Sequence, residues 1–188
     1  PVQGVVVTSG ARPWLRVLLD RQELEWAHGD RVVRYPVSTA ANGPGEQDGS
    51  FCTPRGWHVI RARIGDGVPV GGVFRGRRWT GEIWSPDLMA AQPGRDWILT
   101  RILWLCGCEP GRNRFGNVDT MRRYIYFHGC ADTVTLGEPG SRGCIRMRND
   151  DILQLFRDVP AGTPVWLGGT DEAPAQPDPQ LFGQGVRA

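Results

Sequence analysis

The chain has 188 residues, 40% of them hydrophobic, and a formal net charge of only +2. That length suits one domain with a substantial core. So weak a field, with no basic patch interleaved with aromatic readers, argues against a nucleic-acid-binding surface, and no run approaches the roughly 18 apolar residues of a membrane-crossing helix.

All 22 basic residues are arginine, a compositional bias that defines no site by itself. The 26 glycines and 15 prolines favour short strands and turns over long helices. The opening Pro1-Val2-Gln3-Gly4-Val5-Val6-Val7 lacks the basic region, apolar stretch and small-residue cleavage site of a secretory leader. Residues 1–13 read as an N-terminal extension. Strands are predicted over 14–20, 23–27 and 31–37, the last two joined by a His28-Gly29-Asp30 turn. Residues 40–50 are rich in Gly, Asn and Pro and read as loop. Thr53-Pro54-Arg55-Gly56 turns into a strand over 57–64. Glycines break the apolar pieces of 65–78. A short strand over 80–84 and a helical turn within 85–94 follow. Residues 97–105 are apolar enough to cross a core. The Arg-rich loop after Pro110, with its continuation from Arg112 to Arg123, is a candidate lid. It leads to Tyr124-Ile125-Tyr126-Phe127, which has the composition of a buried strand.

The clearest helix begins at Asn149, expected as N-cap, with Asp150 and Asp151 near the positive end of the dipole. Ile152, Leu155, Phe156 and Val159 share one face, and Pro160-Ala161-Gly162 stops the helix. A strand over 163–167 closes the domain, and 168–188 read as a mobile tail. The domain thus spans 14–167 and is mainly β with one well-marked helix.

Five cysteines are present: Cys52, Cys106, Cys108, Cys130 and Cys144. An odd count is no disulfide framework and fits a reducing compartment, so a cytoplasmic protein is expected. Removal of an export leader would leave the same start, which makes the periplasm the alternative. Cys106-Gly107-Cys108, even joined by His128 and Cys130, is spaced too tightly for a zinc site, and no metal is expected. His58 and His28 read as structural or surface residues.

Two features carry chemistry. His128 stands at the end of the 124–127 strand, followed by Gly129, and Ser141-Arg142-Gly143-Cys144 begins in the turn-rich stretch beyond it. A thiolate is the nucleophile, and an imidazole placed beside it is its natural base. Gly143 permits close approach of backbone or substrate. The amides of Gly143 and Cys144 are candidate oxyanion donors.

His-Gly, a loop, then Ser-Arg-Gly-Cys-Ile-Arg-Met resembles the signature of the L,D-transpeptidase (YkuD-like) catalytic domain. Thr53-Pro54-Arg55-Gly56 and Val37-Ser38-Thr39 resemble two upstream elements of the same family, and the resemblance covers roughly residues 14–167. It implies a curved, β-sandwich-like sheet with a helix beside the active-site loop. It implies Cys144 as nucleophile and His128 as base, oriented by a backbone carbonyl, with no cofactor. It further implies acyl transfer on peptidoglycan stem peptides, with Cys144 attacking the diamino acid–D-Ala bond, and acylation by carbapenems. Transfer to water is carboxypeptidase action, and transfer to an amine is D-amino-acid exchange or 3-3 cross-linking. With the expected compartment, this points to trimming of muropeptides in peptidoglycan recycling, and periplasmic cross-linking is the alternative. A silent wall-binding module and a zinc-stabilised interaction domain are the non-enzymatic alternatives. Arg142 stands where many relatives carry a second histidine, and Cys130 where they carry Thr or Ser. Arg142 and Arg146 are candidate substrate-carboxylate ligands or loop braces, Ser141 a turn-shaping residue, and Gly129 a substrate contact.

Overall fold

The computed structural model describes residues 12–183. The strands are β1 Trp14–Leu18, β2 Glu23–His28, β3 Arg31–Pro36, β4 Gly56–Ile64, β5 Gly72–Arg75, β6 Arg78–Ile83, β7 Ile98–Gly107, β8 Tyr126–Gly129, β9 Ile145–Met147 and β10 Pro164–Gly168. They form one ten-stranded sheet in the order β3-β2-β1-β10-β4-β7-β5-β6, with β8 paired to β7 and β9 paired to β8. Two pairings are parallel, β1 with β10 and β8 with β9. The helices are α1 Pro86–Ala91, α2 Asn149–Asp158 and α3 Pro179–Phe182. The fold is mainly β, a curled sheet with few helices, as the sequence leads one to expect.

Apolar residues on both faces of its strands explain the sheet. Leu15 and Val17 of β1, Ile60 of β4 and Val165 and Leu167 of β10 point to one face, which Ile152, Leu155 and Phe156 of α2 cover. Trp14, Leu18, Trp57 and Trp166 point to the other. A sheet covered on both faces reads as continuous apolar runs rather than strict alternation.

Residues 169–183, expected as a mobile tail, are what covers the tryptophan face. They form a 3-10 turn at Thr170–Glu172 and then α3, and the Phe182 ring meets Trp57 edge-on at 5.4 Å. Their polar composition hid three anchors. Thr170 N–H and Oγ1 both bond Asp20 Oδ1 at 2.9 Å, and Arg12 donates to the Phe182 carbonyl. Residues 1–11 and 184–188 lie outside the described residues.

Two local expectations are corrected. Asn149 is not the N-cap of α2. Arg148 takes that place without a side-chain cap, and Asn149 Oδ1 instead accepts from the buried Thr100 Oγ1 at 2.6 Å. Thr100 has φ 74° at an irregularity in β7, and its hydroxyl needs an acceptor where water is excluded. Tyr124 is not in the buried strand. It has φ 57° and is half exposed, and β8 starts two residues later.

These contacts rank the elements energetically. Leu155→Ala should cost about 2–5 kcal/mol through the cavity it leaves. Phe182→Ala should cost about 0.5–1.5 kcal/mol from its aromatic contact alone. Urea denaturation of both variants checks this, and an unchanged midpoint for Phe182→Ala would show that the segment does not pack on Trp57 in solution.

Candidate active site

Strand β8 ends on His128-Gly129, and β9 begins one residue after Cys144. Their register sets Phe127 beside Ile145 and His128 beside Arg146. Cys144 therefore sits next to Tyr126, whose N–H points at Cys144 Sγ at 3.4 Å. The same sulfur approaches the Tyr124 carbonyl at 3.3 Å.

A parallel pair needs a crossover, here residues 130–143. Backbone bonds hold it to residues 37–41: Gly137 N–H to Val37 O, Gly140 and Ser141 N–H to Thr39 O, Ala41 N–H to Ser141 O, and Arg146 N–H to Ser38 O. Thr53 adds a clamp. Its hydroxyl donates to the Gly143 carbonyl at 2.8 Å and accepts from Ala40 N–H. Both upstream elements singled out in the sequence thus brace the Cys144 loop. Gly143 has φ 128°, and a Cβ there would lie 3.1 Å from both Cys52 O and Ile125 Cδ1. Both the positive φ and these tight contacts favour glycine there.

His128 is buried, and its Nδ1 lies 2.7 Å from the Gly129 carbonyl. A carbonyl only accepts, so Nδ1 carries the proton and Nε2 is left as a base. Burial pulls the imidazole below its ordinary pKa, against Asp96 and the Gly129 carbonyl, which favour the cation. Burial pushes the Cys144 thiol up to about 12, although the Tyr126 N–H and the guanidinium groups of Arg146 and Arg123 pull it down. Resting thiol and imidazole are both neutral, the state from which a base takes the thiol proton during attack.

His128 and Cys144 line one cleft of about 690 Å³ with Ser141, Arg142 and Arg146. Ser141 shapes the turn, as expected: its Oγ donates to Cys144 O at 2.6 Å and accepts from Gly143 N–H at 3.1 Å. That second bond engages the Gly143 amide, one of the two candidate oxyanion donors, within the turn. The Cys144 amide has no hydrogen-bond acceptor among the described residues. Arg146 braces the loop, reaching the Gly140 carbonyl at 3.1 Å and Asp96 at 3.5 Å. Arg142 is exposed on the cleft wall. Gly129 is not in the cleft: it is buried, and a Cβ would run into the Leu99 carbonyl and Asn149 Oδ1. It contributes the carbonyl that orients His128.

The cleft holds residues the sequence did not reveal: Phe51, Arg77, Asp96, Arg123 and Tyr124. Phe51, Arg77 and Tyr124 all have positive φ, at 55°, 64° and 57°. Such a conformation costs a non-glycine residue about 1–2 kcal/mol. The 112–123 stretch is no lid. Arg123 bonds the Gly45, Glu46 and Cys52 carbonyls, and Asn117 bonds Gln47. Elsewhere His58 is buried between Gly56 O and Thr120 Oγ1, and His28 is exposed, stacked on Trp26. Cys130 is buried, all five thiols are free, and no three His, Cys, Asp or Glu side chains gather for a metal among the described residues.

A curled sheet thus carries a cysteine and a backbone-oriented histidine on the wall of one cleft. The family model for the L,D-transpeptidase catalytic domain (YkuD) matches residues 12–167, and the chain belongs to that family. A probable L,D-transpeptidase, ErfK/SrfK of Escherichia coli K12, is 47% identical over 45 residues, 24% of this chain and 14% of that protein. An L,D-transpeptidase structure from Xylanimonas cellulosilytica superposes with TM-score 0.52 at 20% identity, over 87% of this chain and 63% of that one. L,D-transpeptidase 3 of Mycobacterium tuberculosis, solved with a faropenem-derived adduct, gives TM-score 0.51 at 12% identity over 82% and 59%. The chain thus matches less than two thirds of each of these relatives.

The neutral resting pair has a measurable consequence. Alkylation of Cys144 by iodoacetamide, followed by peptide mapping, should still accelerate as pH rises through about 9, because a raised pKa leaves the thiol protonated below it. A rate that levels off near pH 7 would mean a resting ion pair.

Proposed function

We propose that this protein is a cysteine acyltransferase that cleaves the diamino acid–D-Ala bond of peptidoglycan stem tetrapeptides and passes the thioester to water, as an L,D-carboxypeptidase. The observation that carries this is the one cleft lined by both His128 and Cys144, with the Nδ1 bond to Gly129 leaving the His128 Nε2 free to act as a base. The thiol proton passes to His128 as Sγ bonds the scissile carbonyl carbon. The carbon–nitrogen bond then breaks, and the proton leaves on the D-Ala amine. The Cys144 amide is available to the oxyanion. Water attacks the thioester, His128 takes its proton, and the thiol is restored.

Family membership supports a peptidoglycan substrate. Four arginines and only two aspartates line the cleft, which suits a peptide rich in carboxylates. Five free thiols support a reducing compartment, hence action on fragments returned to the cytoplasm. A second reading has its own observation. A groove of about 440 Å³, with Arg95 and Trp97, joins the cleft at Asp96, Arg142 and Arg146 and has room for an acceptor chain. In that reading an amine replaces water, giving exchange or 3-3 cross-linking in the periplasm.

Mass spectrometry of a disaccharide-tetrapeptide incubated with the enzyme tests both. Loss of one D-Ala without a dimer supports the carboxypeptidase, and a cross-linked dimer supports the transpeptidase. Cys144→Ala should abolish either product, and His128→Ala should slow it about 10²–10⁴-fold. Unchanged turnover by Cys144→Ala would sink the reading. Faropenem, by the analogy of the M. tuberculosis protein, should add its mass to the wild type and not to Cys144→Ala.

A further inference from the structure

Arg77 occupies a position where the backbone asks for glycine. Strands β5 and β6 pair Arg75 with Arg78, so Gly76-Arg77 is a two-residue hairpin turn. Both residues have positive φ, 53° and 64°, the pattern of the type I′ turn. Glycine takes such a place without strain and an arginine does not. A strained residue kept at a cleft points to use of its side chain.

That side chain is held with care. The guanidinium lies 4.7 Å from the Tyr124 ring centre and 4.8 Å from that of Trp104, and Nη1 donates to Tyr126 Oη at 3.2 Å. The two rings are themselves neighbours, 6.0 Å apart, so they hold the guanidinium from one side and leave N–H edges for a planar acceptor. It has no carboxylate partner among the described residues, whereas Arg146 is spent on Gly140 and Asp96, and Arg123 on three carbonyls. The residues that hold it also hold the thiol: Cys144 Sγ touches the Tyr124 carbonyl and the Tyr126 amide.

We propose that Arg77 is a specificity-determining residue whose guanidinium receives the terminal carboxylate of the residue expelled when Cys144 is acylated. This rests on the stem-peptide reading above. In a peptide that loses its last residue, the terminal carboxylate carbon lies about 2.5 Å from the scissile nitrogen. Its reader must therefore stand on the wall of the cleft that holds the nucleophile, and Arg77 and Cys144 line the same cleft. The pairing is a charge-assisted, bidentate one. It selects chains in which the expelled residue is terminal.

The test compares a disaccharide-tetrapeptide ending in D-Ala with the same compound ending in D-Ala carboxamide. Wild type should prefer the acid by at least about 10-fold in kcat/KM, the scale of losing a charge-assisted bond. Arg77→Gly should lose that factor on the acid, mainly through KM, and keep its rate on the amide. Its melting temperature should stay close to wild type, because relief of the strained turn offsets the lost stacking. Arg77→Lys should recover only part of the preference. Equal loss on both substrates would reduce Arg77 to a structural role and overturn the proposal. So would an unchanged preference in Arg77→Gly, a preference that disappears instead in Arg142→Ala, or a wild type that cleaves acid and amide equally well. A wild type that cleaves neither overturns the stem-peptide reading itself, and this proposal with it.

Discussion

The site depends on a parallel pairing only three residues long. Strands β8 and β9 join Phe127 to Ile145, His128 to Arg146 and Gly129 to Met147. So short a parallel ladder has little stability of its own, and its connection cannot be a tight turn. The crossover from 130 to 143 has no helix or strand to stiffen it. Its order comes from outside, from backbone bonds to residues 37–41 and from the Thr53 hydroxyl on the Gly143 carbonyl. Gln22 extends the brace, bonding the Thr39 amide and hydroxyl with its buried side-chain amide. The thiol is therefore placed by segments about ninety or more residues upstream in the chain. Damage to any of them should reach Cys144 without touching the cleft.

Burial decides the electrostatics. Two guanidinium groups lower the Cys144 thiol, yet its removal from water outweighs them and leaves it near 12. The same effect keeps His128 neutral. A resting thiolate would be the better nucleophile in isolation, and the more readily oxidised one. A neutral pair defers charge separation until a substrate is present. The Nδ1 bond to the Gly129 carbonyl makes this workable, because it fixes the tautomer that leaves Nε2 basic.

What the sequence disclosed follows from how local each feature is. The β2–β3 hairpin, the apolar face of α2 and the pairing of a strand-end histidine with a glycine-flanked cysteine all lie within short windows. Residues whose role depends on distant partners were misread or unseen. Asn149 has the composition of an N-cap, but a buried hydroxyl on β7 captures its side chain. Residues 169–183 look like a tail, but Asp20 and Trp57 hold them. Asp96 and Arg77 reach the cleft only because β7 pairs with β4, β5 and β8 at once, a topology no short window contains.

Backbone strain is distributed as a functional site would distribute it. Six non-glycine residues among those described have positive φ, and three of them, Phe51, Arg77 and Tyr124, line the cleft. A fourth, Thr100, holds the Asn149 side chain against Gly129, whose carbonyl orients His128. Glycine at Phe51, Arg77 or Tyr124 would relieve the local strain and lose a ring or a guanidinium from the cleft wall. Where local preference and overall fold disagree in this way, the side chain has a use that the fold alone does not explain. For Tyr124 the use is double, since its strained backbone brings the carbonyl to Cys144 Sγ while its ring carries Arg77. The left-handed turn at Tyr124 is thus where the placement of the Cys144 thiol and of the proposed carboxylate-reading Arg77 meet in one residue.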